Sequence, residues 1–302
     1  MSNTPEIKTI AVIGAGIMGR GIAHVAAMGG YRTILEDILP ASLRRAESEI
    51  RSNLDKAVEL GKVSAEIAEA AQKRIEYATS VEDAARQADM VIEAVPEEME
   101  SKSEIFTLLD KICRPHTILA TNTSSLSVTE IASVTYRKGL CLGMHFFNPV
   151  HKMKLLEIVR TLETTDDTIA AATEVGERMG KEVVVIRESP GFITSRINAL
   201  IGNEAFHMLE AGVASASDID KALKLGLNHP MGPFEMVDLV GLDTRLHILE
   251  YLHKSLGEKF KPSPLLVQFV NSGRLGRKVG RGVYEYPEEL AKIQAKANSE
   301  KK

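Results

Sequence analysis

The sequence predicts an α/β fold: a doubly wound, mostly parallel sheet over residues 1–189, followed by a smaller all-helical domain over 190–302. Three observations carry this. Short apolar runs alternate with helical patterns up to about residue 188. A glycine-rich stretch, GAGIMG, stands between the first apolar run and the first helix. Strand signals then stop after Ser189-Pro190-Gly191, where helical patterns broken by Gly, Pro and Asn-His-Pro take over.

In chain order the expected strands are 8–14, 31–37, 88–95, 116–122, 140–147, 155–159 and 182–186. Several are apolar on successive residues, as expected where helices cover both faces of a sheet. Helical stretches lie between them, among them 41–60, 99–111 and 167–179. This β-α alternation is the pattern of a parallel doubly wound sheet. A polar, Lys-containing tail begins at about 291.

Composition narrows the function classes. The 302 residues are 44% hydrophobic and 26% charged, ordinary for a soluble globular protein. A net charge of -4 gives no electrostatic case for nucleic acid or an anionic membrane. No apolar run reaches the roughly 18 residues that a membrane span needs. The polar lead MSNTPEI enters an apolar strand directly, with no secretory core. The two cysteines, Cys113 and Cys141, form no metal-ligand spacing and no disulfide framework. A cytoplasmic protein without a metal is expected.

GAGIMG comprises Gly14, Ala15, Gly16, Ile17, Met18 and Gly19 and matches G-x-G-x-x-G. A lone match is weak, but here a strand precedes it and an apolar helix follows. Gly14 allows the tight turn, Gly16 lets backbone approach a pyrophosphate, and Gly19 lets helix pack on strand. The helix N-terminus offers N–H groups to the phosphates. Asp37 ends the next strand at about the expected ~20-residue distance. A carboxylate there accepts ribose hydroxyls and repels a 2′-phosphate, and no Arg follows it directly. The pattern indicates a Rossmann-type domain that binds NAD rather than NADP.

With that cofactor placed, the chain resembles the L-3-hydroxyacyl-CoA dehydrogenase family, including 3-hydroxybutyryl-CoA dehydrogenases, over nearly its whole length. The matching stretches are Gly14–Gly19, Asp37, VIEAVPEEMESK (91–102), TNTSSL (121–126), HFFNPV (145–150), PGF (190–192), NHPMGPFE (228–235) and GRLGRKVGRGVYEY (273–286). The resemblance implies reversible NAD-dependent oxidation of a 3-hydroxyacyl-CoA of fatty-acid metabolism. It also implies a homodimer formed through the helical domain, which would close one side of the cleft.

The same resemblance implies the site residues. His145 and Glu157 match the family's catalytic dyad, and their chemistry suits it. A histidine takes the proton of a secondary alcohol, and a carboxylate on its other nitrogen stabilises the imidazolium. The two residues are expected to face each other across a turn. Ser124 matches a group that hydrogen-bonds the substrate oxygen and touches the nicotinamide side of the cofactor, Asn122 one that shapes the cofactor loop, and Asn148 one near the nicotinamide carboxamide. Glu97 and Lys102 match cofactor contacts, with Lys102 also near the CoA pyrophosphate; a surface charge pair is the plainer reading. Lys278 matches a late lysine reaching back to the cofactor. The plainer reading of TNTSSL is a cap, with Ser125 starting a helix near Leu126.

One position departs from the family pattern. Ser195 stands where the family has an active-site asparagine, and Asn198 lies one turn further on. The sequence is also compatible with a sugar-acid dehydrogenase of related fold and with a catalytically silent NAD-binding protein.

Overall fold

The computed structural model describes residues 6–299. The chain divides into two compact units at Ser189/Pro190. In the first, the elements run β1 (Thr9–Ile13), α1 (Ile17–Met28), β2 (Arg32–Glu36), α2 (Pro40–Glu59), α3 (Ala65–Lys73), β3 (Ile75–Ala78), α4 (Val81–Ala85) and β4 (Met90–Glu93). They continue with α5 (Met99–Ile112), β5 (Ile118–Thr121), α6 (Val128–Ser133), β6 (Cys141–Phe146), β7 (Leu155–Arg160), α7 (Asp166–Arg178) and β8 (Glu182–Arg187).

Among the described residues, eight strands form one sheet in the order β3-β2-β1-β4-β5-β6-β7-β8. All neighbours pair in parallel except β6 and β7. The chain winds outward from β1 to β3, then restarts beside β1 at β4. That reversal is where such sheets open a crevice beyond their strand ends. Residues alternate between two cores: Ile10 and Val12 pack on one face with α1 and α7, Ala11 and Ile13 on the other with α5 and α6. Burial on both faces is why the central strands β1, β4, β5 and β6 read as largely apolar runs.

The strand β3 was absent from the expectation. Its sequence, IEYA, is short and only its first residue is buried, so neither length nor pattern marks it. The helix after TNTSSL also starts later than expected. It begins at Val128, and Ser127 caps it by accepting the Glu130 N–H at 3.1 Å, so Ser125 is not the cap. Ser127 wins because its hydroxyl stands three residues before that free N–H.

The second unit holds α8 (Thr194–Glu210), α9 (Ala216–Gly226), α10 (Pro233–Val240), α11 (Leu242–Leu256), α12 (Pro264–Asn271) and α13 (Pro287–Ser299). Phe206, Phe234, Leu242, Leu249 and Phe260 are buried in its core. Phe206 meets Phe234 edge-on at 5.1 Å, a favoured aromatic geometry. The buried Asp238 carboxylate accepts the Val283 and Tyr284 N–H groups and the Tyr286 hydroxyl, which pins the glycine-rich segment before α13. The polar stretch from 291 lies on α13 as far as Ser299. Among the described residues no helix is long and apolar enough to cross a membrane.

Candidate active site

The fingerprint loop leaves β1 with Gly14 at φ +96°, in the region that favours glycine. A Cβ there would stand 2.8 Å from the Ala94 carbonyl oxygen, because β1 and β4 end side by side. At Gly19 a Cβ would fall 1.7 Å from the Gly14 carbonyl oxygen, so the first turn of α1 lies directly on the loop. Gly16 differs: nothing in the protein lies within 4 Å of the Cβ it lacks. Its bareness therefore serves no internal packing and leaves room for a ligand at the start of α1. Ala15, Ile17 and Met18 complete the loop, with Ile17 exposed at the helix start.

Asp37 closes the other side. Its carboxylate accepts the Ala15 N–H at 3.0 Å and the Leu39 N–H at 2.9 Å, which turns it toward the loop. The open Gly16 position, the N-terminus of α1 and this carboxylate fit a dinucleotide with free ribose hydroxyls. Beside it Glu36 is buried, with Oε1 lacking a partner. Burial, with Asp37 next to it, pushes the Glu36 carboxyl up to about 7.

The second element is the loop after β5. Glu97, itself exposed, gathers it: Oε1 accepts the Thr123 hydroxyl at 2.6 Å, the Ser124 N–H at 2.8 Å and the Ser125 N–H at 3.3 Å. Ser124 stands exposed at the tip. Asn122 links this loop to the next strand, its Oδ1 accepting the Phe146 N–H at 3.0 Å.

Lys102 pairs with Glu97, Nζ to Oε2 at 3.6 Å, but from inside the protein rather than from its surface. It is fully buried, and its ammonium points inward to Glu93 Oε1 at 2.8 Å and the Asn122 carbonyl at 3.2 Å. A surface charge pair does not describe that geometry, since only Glu97 of the two reaches solvent. An ammonium taken out of water needs a counter-charge, and Glu93 supplies it.

The third element is the β6–β7 pair. His145 and Glu157 are direct cross-strand partners in the antiparallel register, closer than an arrangement across a turn requires. His145 Nδ1 lies 2.7 Å from Glu157 Oε2. The two are only 4% and 1% exposed, so their interaction is poorly screened by water. The Phe147 ring packs on the imidazole at 4.4 Å. Asn148 is exposed and joins Pro149 through a cis peptide bond. A cavity of about 180 Å³ adjoins this segment, lined by Ile17, Arg20, His24, Asn53, Asn148 and His151. His24, stacked on His151, is pushed down to about 4 by burial.

Comparison with known proteins decides the family. The 3-hydroxyacyl-CoA dehydrogenase NAD-binding domain model matches residues 9–189, and that family's C-terminal domain model matches 191–286. The chain belongs to the 3-hydroxyacyl-CoA dehydrogenase family. Its members are NAD-dependent oxidoreductases, and NAD is the cofactor. It is 45% identical to a probable 3-hydroxybutyryl-CoA dehydrogenase of Bacillus subtilis, covering 95% of this chain and 100% of the relative. It is 40% identical to the mitochondrial hydroxyacyl-coenzyme A dehydrogenase of Homo sapiens, over 93% of this chain and 91% of the relative. Among solved structures, (S)-3-hydroxybutyryl-CoA dehydrogenase from Ralstonia eutropha superposes with a TM-score of 0.90 at 40% identity, covering 93% and 99% of the two chains.

The remaining expected residues of this family member lie in the helical unit. Ser195 and Asn198 sit three residues apart on α8, both half-buried. Lys278 Nζ is held 2.6 Å from both oxygens of Asp243. Sequence reasoning missed Glu93 and Thr123. The signal for Glu93 was present: like Glu157, it is a carboxylate within an otherwise apolar strand.

Proposed function

We propose that this dehydrogenase reversibly oxidises an L-3-hydroxyacyl-CoA, with 3-hydroxybutyryl-CoA as the preferred substrate, to the 3-ketoacyl-CoA. The observation that carries the reading is the buried His145–Glu157 pair at 2.7 Å. Bound NAD supplies the hydride acceptor. With Nδ1 held by Glu157, His145 uses Nε2 to take the hydroxyl proton, and Glu157 stabilises the imidazolium that results. In the reverse direction the imidazolium returns the proton to the carbonyl oxygen.

Ser124 donates to that same oxygen from the loop tip. Glu97 holds the Ser124 amide and Asn122 ties the loop to β6; by family resemblance Asn148 would contact the nicotinamide carboxamide. Ser195 and Lys278 enter the proposal by family resemblance alone. The substrate choice rests on the bacterial relatives, which are named 3-hydroxybutyryl-CoA dehydrogenases. A homodimer working in the cytoplasm completes the reading.

Absorbance at 340 nm tests it. NADH should be consumed with acetoacetyl-CoA and not with free acetoacetate. Equal rates with both would remove the CoA ester from the proposal.

A further inference from the structure

At the crevice end of β4, Glu93 is fully buried and accepts three hydrogen bonds. Oε1 takes the Val95 N–H at 2.7 Å and the Lys102 ammonium at 2.8 Å, while Oε2 takes the Thr121 hydroxyl at 2.6 Å. Glu93 and Thr121 are the last residues of β4 and β5 and stand opposite each other in register. Lys102 comes from α5, so one ion pair joins three elements at their ends.

Both parts of the proposed chemistry hang from this pair. Lys102 Nζ lies 3.2 Å from the Asn122 carbonyl oxygen and 3.6 Å from Glu97 Oε2. Glu97 in turn holds the Ser124 N–H. The Asn122 N–H donates to the Glu93 carbonyl at 2.8 Å, and its side chain holds the N–H of Phe146, next to His145. A buried ion pair is not by itself a reason for stability, since apolar residues often replace one without loss. Its connections to Asn122 and Glu97 give it another use.

We propose that Glu93, paired with Lys102, is a positioning residue that fixes the Thr121–Ser125 loop so that Ser124 and His145 address one substrate oxygen. The inference rests on the proposed roles of Ser124 and His145. Misplacing a reacting group by about 1 Å from a distance can cost on the order of 100-fold in rate. Burial pushes the Glu93 carboxyl up while Lys102 draws it back. Removing Lys102 therefore leaves a carboxyl that resists ionising inside the folded protein.

The test uses the full chain with NADH and acetoacetyl-CoA. Glu93→Gln should lower kcat about 10- to 100-fold while moving the KM for NADH much less. Lys102→Met should lose stability as pH rises above about 4.3, because the unfolded chain releases the Glu93 proton there and the folded one holds it. The neutral double variant Glu93→Gln/Lys102→Met should recover stability and lose that pH dependence, yet keep the low kcat. Wild-type kcat in Glu93→Gln, or kcat restored with stability in the double variant, overturns the proposal.

If Glu93→Gln does not fold, Thr121→Val removes only the Oε2 contact, and an unchanged kcat there has the same force. Hydrogen exchange separates this inference from the functional reading. Should the wild type show no turnover, the functional reading fails. Faster exchange over residues 121–126 in Glu93→Gln, with β1 and α1 unchanged, still supports the positioning, and equal exchange overturns it.

Discussion

The loop between β1 and α1 and the pair of strands β6 and β7 build two halves of the candidate site by opposite means. The first half is made of backbone: amides at a helix start, a carbonyl against a missing Cβ, and a glycine left bare. The second is made of two side chains that meet because an antiparallel register places them opposite each other. A backbone site fails through sterics and takes the cofactor with it. A side-chain site fails through chemistry and leaves cofactor binding standing.

His145→Gln is the widest break in that contrast. It should lower kcat by about 10²–10⁴-fold, the range for losing a general base, with NADH binding nearly intact in a fluorescence titration. Near-normal turnover would move the proton to another residue.

On the backbone side, Gly19→Ala and Gly16→Ala should separate cleanly. The Gly19 methyl meets the Gly14 carbonyl oxygen at 1.7 Å, so backbone must move, at about 1–3 kcal/mol of stability read by denaturant unfolding. Gly16→Ala meets nothing in the protein, so its stability should stay within about 0.5 kcal/mol of wild type while NADH binds more weakly. Equal stability losses in the two would mean that the Gly16 position is not kept open for a ligand.

Asp37→Ala sharpens the cofactor half further. The wild type should prefer NADH strongly over NADPH, and the variant should erode that preference by raising KM more than it lowers kcat. Comparable use of both cofactors by the wild type would end this assignment.

A last effect, on stability alone, concerns Glu36, whose carboxyl sits at about 7 in the folded chain against about 4.3 when unfolded. The folded state holds the proton between those values and the unfolded state releases it, so stability falls as pH rises from about 4.3 to about 7. Glu36→Gln should therefore stabilise by about 1–3 kcal/mol at pH 8 and change little at pH 4. Parallel pH–stability curves for the two proteins would contradict this.

The elements legible in the sequence were those whose signal is contiguous. The fingerprint shows itself because turn, helix start and packing contact fall within six residues, each asking for glycine. Strands buried on both faces show themselves as apolar runs. The four residues of β3 carry no such run, and its pairing with β2 gives it away only in space. Ser125 and Ser127 are chemically alike, so the sequence did not say which one meets the free N–H of the helix.

The sequence by itself determined the doubly wound class, the NAD fingerprint with Asp37, and the presence of a histidine and a carboxylate inside apolar strands. These follow from local composition, period and spacing. Only the tertiary structure decided that His145 and Glu157 are direct cross-strand partners, since a one-residue slip would have turned one of them to the opposite face. It alone decided that Lys102 points inward. A lysine on an amphipathic helix reads as solvated until a buried carboxylate from a neighbouring strand lies within reach, and Glu93 is nine residues away in sequence but 2.8 Å away in space.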